Sequence, residues 1–412
     1  MVRTRKISGA AIRQIATCFA LCFTAVMAQA QTYSVLHDFS GYAGGSEPVA
    51  GLTMAGPGNF YGTTAYGGSQ DAGTVFNLRH AGSGWIVTFL YAFQGGYSDG
   101  AEPDAPVTIG PDGSLYGTTY EGGSARCAPG CGTVYKLTPP PSFCRSASCP
   151  WTETVLYFFQ DTDGAGPAGG KLIFDQAGNL YGTTYYGGTN GWGTVFELTP
   201  SSGSWTETVL HSFSGDEDGF FPWSGVISDS ASNLYGTTES GGANSAGTVY
   251  ELSPSGSGWT KSTLFSFDGQ SQGNGAVGGV VMDAQGNLYG ATTSGGPANG
   301  GTAYQLSFSH GQWNYTLLAA LPQADRGPLD TPTLDAAGNV YLTSEGAPGN
   351  GTVLEVSPSG EGWQLTVLHA FDGSDGSWPT GSVIFDANGN MYGTTSLGGT
   401  NGNNGVVWEI TP

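Results

Sequence analysis

The chain has 412 residues, of which 71 are Gly and 22 are Pro, nearly a quarter of the total against about 12% in average usage, so long helices are excluded as its main material. Charged residues are scarce at 10% while aromatic residues reach 12%, which supplies a core and sets the chain apart from solvated disordered polymers. With 32 Asp and Glu against 11 Lys and Arg, a formal charge of -21, it lacks the clustered cations that nucleic acid or an anionic membrane surface requires.

The first element reads as an export signal. Arg3, Arg5, Lys6 and Arg13 precede an apolar stretch from Ile15 to Met27, and Ala28-Gln29-Ala30 supplies the small-x-small pattern of a cleavage site. The apolar run is too short and wrongly flanked for a transmembrane span. Cleavage after residue 30 leaves 7 basic and 32 acidic residues, a formal charge of -25, and no membrane insertion. The expected location is secreted, periplasmic or cell-envelope.

From residue 31 onward the chain repeats itself. A tyrosine recurs at Tyr61, Tyr116, Tyr181, Tyr235, Tyr289, Tyr341 and Tyr392, at spacings of 55, 65, 54, 54, 52 and 51 residues. Most copies read like Asn179-Leu-Tyr181-Gly-Thr-Thr184, followed by Gly187-Gly188 and then Gly193-Thr-Val-Phe196-Glu-Leu198. The sixth copy degenerates: Leu342 replaces the Gly and Ser344 the second Thr. Within a unit the spacing predicts four short strands. In the third these are residues 171–174, an Asp175 to Asn179 tight turn, residues 180–184, a glycine loop, residues 193–198, a Pro-Ser turn, and residues 205–213. Seven such units predict an all-β fold, a seven-bladed β-propeller of four-stranded antiparallel blades occupying residues 31–412, whose closure hides the strand edges. Residues 32–39 match a fourth strand and residues 405–410 a third, so the N-terminal strand is expected to complete the last blade.

Four cysteines follow the signal, all within the second unit: Cys127, Cys131, Cys144 and Cys149. Export favours disulfides over zinc. The strand phase places the first two on one face and the last two on the other, a strand of about 20 Å apart, too far for a disulfide. Local pairs, 127 with 131 and 144 with 149, are expected.

These units resemble the GloVer tandem repeat, a glycine-rich repeat of exported bacterial proteins. The resemblance rests on Asn-Leu-Tyr-Gly-Thr-Thr, Gly-Gly and Gly-Thr-Val-Phe-Glu-Leu and covers nearly all of residues 32–412. It implies an extracytoplasmic, free or surface-associated repeat protein and carries over no catalytic residues. No hydrophobic tail or sorting segment stands before Pro412, which favours the free form.

Repetition separates scaffold from site. Trp85, Trp151, Trp205, Trp259, Trp313 and Trp363 open successive fourth strands and read as packing residues. His37, His211 and His369 alternate with Tyr91, Tyr157 and Phe265 at one position and read as aromatic filler. Asp175, Asp229, Asp283, Asp335 and Asp386 recur at the first turn and read as turn formers. One face carries the variable loops, and its less repeated residues are the candidate contacts: Tyr66, Tyr97, Tyr120, Tyr185, Tyr186, Trp192, Phe220, Trp223 and Trp378, with Asp99, Asp163, Asp218 and Asp375.

Aromatic faces beside carboxylates suit sugars, which present apolar C–H faces and hydroxyl donors. A protein partner would use the same aromatics. Asp161-Thr-Asp163-Gly and Asp216-Glu-Asp218-Gly invite a calcium reading, but no bidentate Glu closes a twelve-residue loop, so Asp-Gly turns and no cofactor are expected. A sialidase-like site is disfavoured because Arg79, Arg126, Arg145 and Arg326 are scattered. The expected function is a binding or scaffolding module, acting as a monomer, for an extracellular glycan or protein. The alternatives are a hydrolase or lyase using carboxylates at the channel mouth and a purely structural envelope component.

Overall fold

A computed structural model describes residues 31–141, 150–256, 258–322, 325–346, 349–360 and 362–412. The expected signal segment and the pair Cys144 and Cys149 lie outside the described residues. Seven antiparallel blades follow one another. The first comprises Thr53–Gly56, Asn59–Thr64, Thr74–Ala81 and Gly84–Ala92, in that order from the inside outward. The second to sixth keep this order, and the sixth gains a short extra strand, Asp325–Arg326. Among the described residues there is no α-helix, only the single 3-10 turns Tyr42–Gly44 and Asp216–Asp218.

The seventh blade has Ile384–Phe385, Met391–Thr395 and Val406–Thr411 from the C-terminal end and Thr32–Asp38 as its outer strand. Thr32 pairs with Thr411 and Asp38 with Val406, so the ring is closed by main-chain hydrogen bonds between the two ends of the propeller. Asp38 adds side-chain bonds to Thr400, 2.7 Å to its N–H and 2.6 Å to its hydroxyl.

Each letter of the repeat has a physical task. The first Thr of the Thr-Thr pair reaches the next blade: the hydroxyls of Thr183, Thr237 and Thr394 donate to the carbonyls of Ser224, Gly278 and Ala50 at 2.9, 3.1 and 2.8 Å. The second Thr pairs within the blade with the Thr of Gly-Thr-Val, as in Thr64 with Thr74 at 2.7 Å and Thr184 with Thr194 at 2.8 Å. Ser344 keeps this bond in the sixth blade, 2.7 Å from Thr352. Outer-strand Trp residues pack on the repeat tyrosine of the preceding blade, Trp151 on Tyr61 and Trp205 on Tyr116, sealing blade to blade.

The repeated Gly after the tyrosine makes room for an aromatic ring. A Cβ at Gly62 would stand 2.4 Å from the Phe76 ring, and one at Gly393 would stand 2.3 Å from Trp408. In the sixth blade the residue facing Leu342 is Leu354, not an aromatic, so the two changes compensate and the core stays filled.

Candidate functional site

On the face opposite the hairpins, the channel opens into a cavity of about 280 Å³. Its wall includes Glu47, Asp104, Trp223, Asp330 and Trp378, contributed by blades one, two, four, six and seven. Asp330 also lines the channel beneath. Its repeat equivalents are small, Ala50, Ala105, Gly169, Ser224, Gly278 and Gly381. It is held by the N–H groups of Thr331 and Ser382, both at 2.6 Å. Beside it the Ser224 and Thr331 hydroxyls meet at 3.2 Å, linking blades four and six across a constriction.

One loop position builds this mouth. The residue before the loop proline, or its counterpart, is Glu47, Glu102, Gly166, Phe221, Gly275, Gly327 and Trp378 in blades one to seven, following the strand-to-strand order. Its backbone is clamped from both sides: the Phe221 N–H donates to the Trp192 carbonyl and its carbonyl accepts from Glu239, at 3.1 and 3.0 Å. The clamp sets φ between 55° and 62° at Glu47, Glu102, Phe221 and Trp378, the left-handed region that favours glycine. Four bulky or charged residues therefore occupy a position where three blades use Gly, and strain of this kind concentrates at functional sites.

The mouth has two halves. Over blades three and four, Tyr185 stacks on Phe221 with ring centres 4.7 Å apart and meets Trp223 edge-on at 5.3 Å. The Tyr185 hydroxyl donates to Glu239 Oε2 at 2.6 Å. Trp192 joins through Phe220 and Phe221 and, with Tyr186, remains exposed. Gly169 lies under the Trp223 indole, where a Cβ would come within 2.7 Å of Nε1. Over blades one and two the side chains are acidic. Burial, then the charges of Glu102, Glu121 and Glu47, push Asp104 up to about 8, and its Oδ1 is buried without a hydrogen-bond partner among the described residues. Burial and then Glu102 also raise Glu47 and Glu121, and burial with the neighbouring carboxylate of Glu102 raises the Tyr66 hydroxyl. Burial likewise pushes Asp330 up to about 6.

Of the residues singled out from sequence, Trp223 and Trp378 line the cavity, Tyr185, Tyr186 and Trp192 form the aromatic half, and Tyr66 stands beside the acidic half. Tyr97 sits apart on an exposed loop. The four aspartates hold their own loops. Asp99 accepts from Tyr91 and the Gln94 N–H at 3.0 and 2.7 Å, and Asp163 from Tyr157 and the Gln160 N–H at 2.5 and 2.7 Å. Asp218 binds His211, the Ser214 N–H and Lys261, and Asp375 binds His369 and the Asp372 N–H. Burial alone would raise Asp218, but these partners hold it well below the usual carboxylate range. Cys127 and Cys131 form a disulfide with Cα atoms 5.0 Å apart, on the variable face.

The model of the Gloeobacter/Verrucomicrobia repeat matches residues 20–149 and 130–345. The chain belongs to the Gloeobacter/Verrucomicrobia repeat family. No curated protein matches it by sequence. Among solved structures, this family member shares its fold with a putative 6-phosphogluconolactonase from Bacteroides uniformis, at 14% identity over 83% of this chain and 88% of that one, TM-score 0.51. It is also similar to a polysaccharide lyase, PL25 ulvan lyase, at 11% identity over 92% and 95% of the two chains, TM-score 0.53. The same lyase bound to -[GlcA(1-4)Rha3S]- matches with 12% identity over 90% and 94%, TM-score 0.50. At these identities the likeness is one of fold.

Sequence reasoning passed over Glu47, Glu102, Asp104, Phe221 and Asp330. The signal for them was present in this Gloeobacter/Verrucomicrobia repeat chain: aligning the loop prolines exposes a column that changes from Gly to Glu, Phe and Trp.

Proposed function

We propose that the chain is a glycan-binding β-propeller whose ligand seats at the channel mouth against Trp223 and Trp378. The observation that carries this reading is the pair of indoles in one cavity with carboxylate acceptors, one of them at a left-handed position that glycine would fill without strain. Indole faces take the C–H faces of a sugar ring and carboxylates accept from its hydroxyls, while the exposed rings of Tyr186 and Trp192 extend the surface for a longer chain.

An extracytoplasmic location agrees with this reading. The Cys127–Cys131 disulfide supports it, and no helix among the described residues is long and apolar enough to cross a membrane. Residues 1–30 act as the cleaved signal in this proposal, and N-terminal sequencing of the exported protein tests it: a first residue other than Gln31 removes that assignment.

A second reading, glycoside hydrolysis, is favoured by Asp104, which burial pushes up to about 8, the direction a general acid requires. Lyase chemistry on uronates is less suited: the ulvan lyase binds a glycan of glucuronate and sulfated rhamnose, whereas the described lining here is acidic. A carbohydrate array probed with residues 31–412 tests the binding reading. A specific hit weakened about tenfold or more by Trp223→Ala and Trp378→Ala supports it; a blank array overturns it in favour of a protein partner. Cleavage of the bound glycan, lost in Asp104→Asn, selects hydrolysis.

A further inference from the structure

The glycan reading leaves the acidic half of the mouth without a task. Resting on that reading, we propose that the ligand presents protonated amines along the acidic half of the mouth, where Glu47 and Asp104 line the cavity and Glu102 stands beside them, so that the preferred class is a glycan containing unacetylated amino sugars.

Three independent features of the mouth converge on this. Among the described residues Asp104 Oδ1 has no hydrogen-bond partner in the wall of the cavity that Trp223 and Trp378 also line, which is the arrangement of an acceptor awaiting a donor. Asp104 replaces Val49, Ala168, Val277, Leu329 and Thr380 of other blades, so the scaffold does not demand it.

Glu47 and Glu102 stand at the left-handed position, where Gly would serve the loop, and both lie close enough to Asp104 to raise it by charge. Like charges gathered in a half-buried pocket cost stability, and an arriving cation relieves that repulsion. The described lining of the cavity contains no Lys or Arg to do so internally.

Finally, the opposite wall is indole, whose π face attracts an ammonium as well as a sugar C–H face. A bare metal ion fits less well, because among the described residues no three carboxylate, Cys or His side chains converge on one point. A neutral sugar would satisfy the aromatic half alone. A uronate would add a negative charge to a site already crowded with them.

The test is calorimetric titration of residues 31–412, in mildly acidic buffer containing a chelator, with three probes: an oligomer of β-linked glucosamine, its fully N-acetylated counterpart and a uronate oligomer. The expected result is binding of the amine form at least about tenfold tighter than the acetylated form, weakening with salt, and no binding of the uronate. Glu102→Gln should bring the two affinities to within about threefold by weakening only the amine form, and its melting curve separates lost contact from lost fold. Equal affinity for amine and acetylated forms, or preference for the uronate, overturns the amine inference and leaves glycan binding standing. Failure of every probe together with a blank array overturns both.

Discussion

Carboxylates in the hairpin-face turns and carboxylates lining the channel mouth are pushed in opposite directions. At the hairpin face Asp229 accepts from the N–H groups of Ala231 and Asn233 at 2.9 Å each, and from the Asn233 amide and the Tyr235 hydroxyl. Slight burial would raise such a group, but these donors hold Asp229, Asp283 and Asp386 below the usual carboxylate range, and Lys136 with Ser114 brings Asp112 down to about 2. At the mouth, Asp104 and Asp330 are half-buried and raised by desolvation, Asp104 with like charges beside it. The difference separates two uses of one side chain. A carboxylate that recurs with its donors is part of the turn, whereas Asp104, which appears once and whose Oδ1 has no donor among the described residues, is available to a partner.

The largest test removes the scaffold from under both sets. Deleting residues 31–40 leaves Val406–Thr411 as an open edge and should lower the melting temperature by roughly 10 °C or more, several kcal/mol for a domain of this size. An unchanged melting temperature would refute closure through that strand.

A finer break separates binding from stability. Trp378→Gly should cost about 2 kcal/mol of binding while leaving the melting temperature equal or higher, because Gly relieves a φ of 57°. A large fall in stability would mean that the indole is structural.

Asp104→Asn sharpens the contrast through pH. The folded value of about 8 exceeds the unfolded carboxylate value, so the native Asp costs nothing below the unfolded range and costs progressively more up to pH 8. The variant's thermal advantage should therefore grow from pH 4 to pH 8 and then level; a pH-independent difference would contradict the assignment. Asp229 runs the other way. Its stabilisation is present at neutral pH and is lost as the pH falls through the unfolded value toward its lowered folded value. Asp229→Ala should lower stability by about 1 kcal/mol at most near neutrality, with the gap closing in acid and glycan binding untouched.

What repeats was legible in the sequence. Blade number, strand order, the Asp turns and the ring-closing strand all follow from seven superposed copies, because each recurrence reports a constraint shared by every blade. The Gly and aromatic pairing was not, since Leu342 looks like decay until Leu354 is seen opposite it. Asp99, Asp163, Asp218 and Asp375 stood out as acidic residues in variable loops, yet they share one loop task, bonding an aromatic or His on the preceding strand and a nearby N–H. Asp104 and Asp330 went unread because their significance is their radial position, which sequence spacing along one blade does not give.

The strand that closes the ring also sets a clock. Thr32–Asp38 is synthesised among the first residues of the propeller and its partner Val406–Thr411 among the last, so the seventh sheet cannot be completed until the whole propeller has been made. Six blades can form in sequence, but the circle waits for its opening residues to be claimed by its final ones.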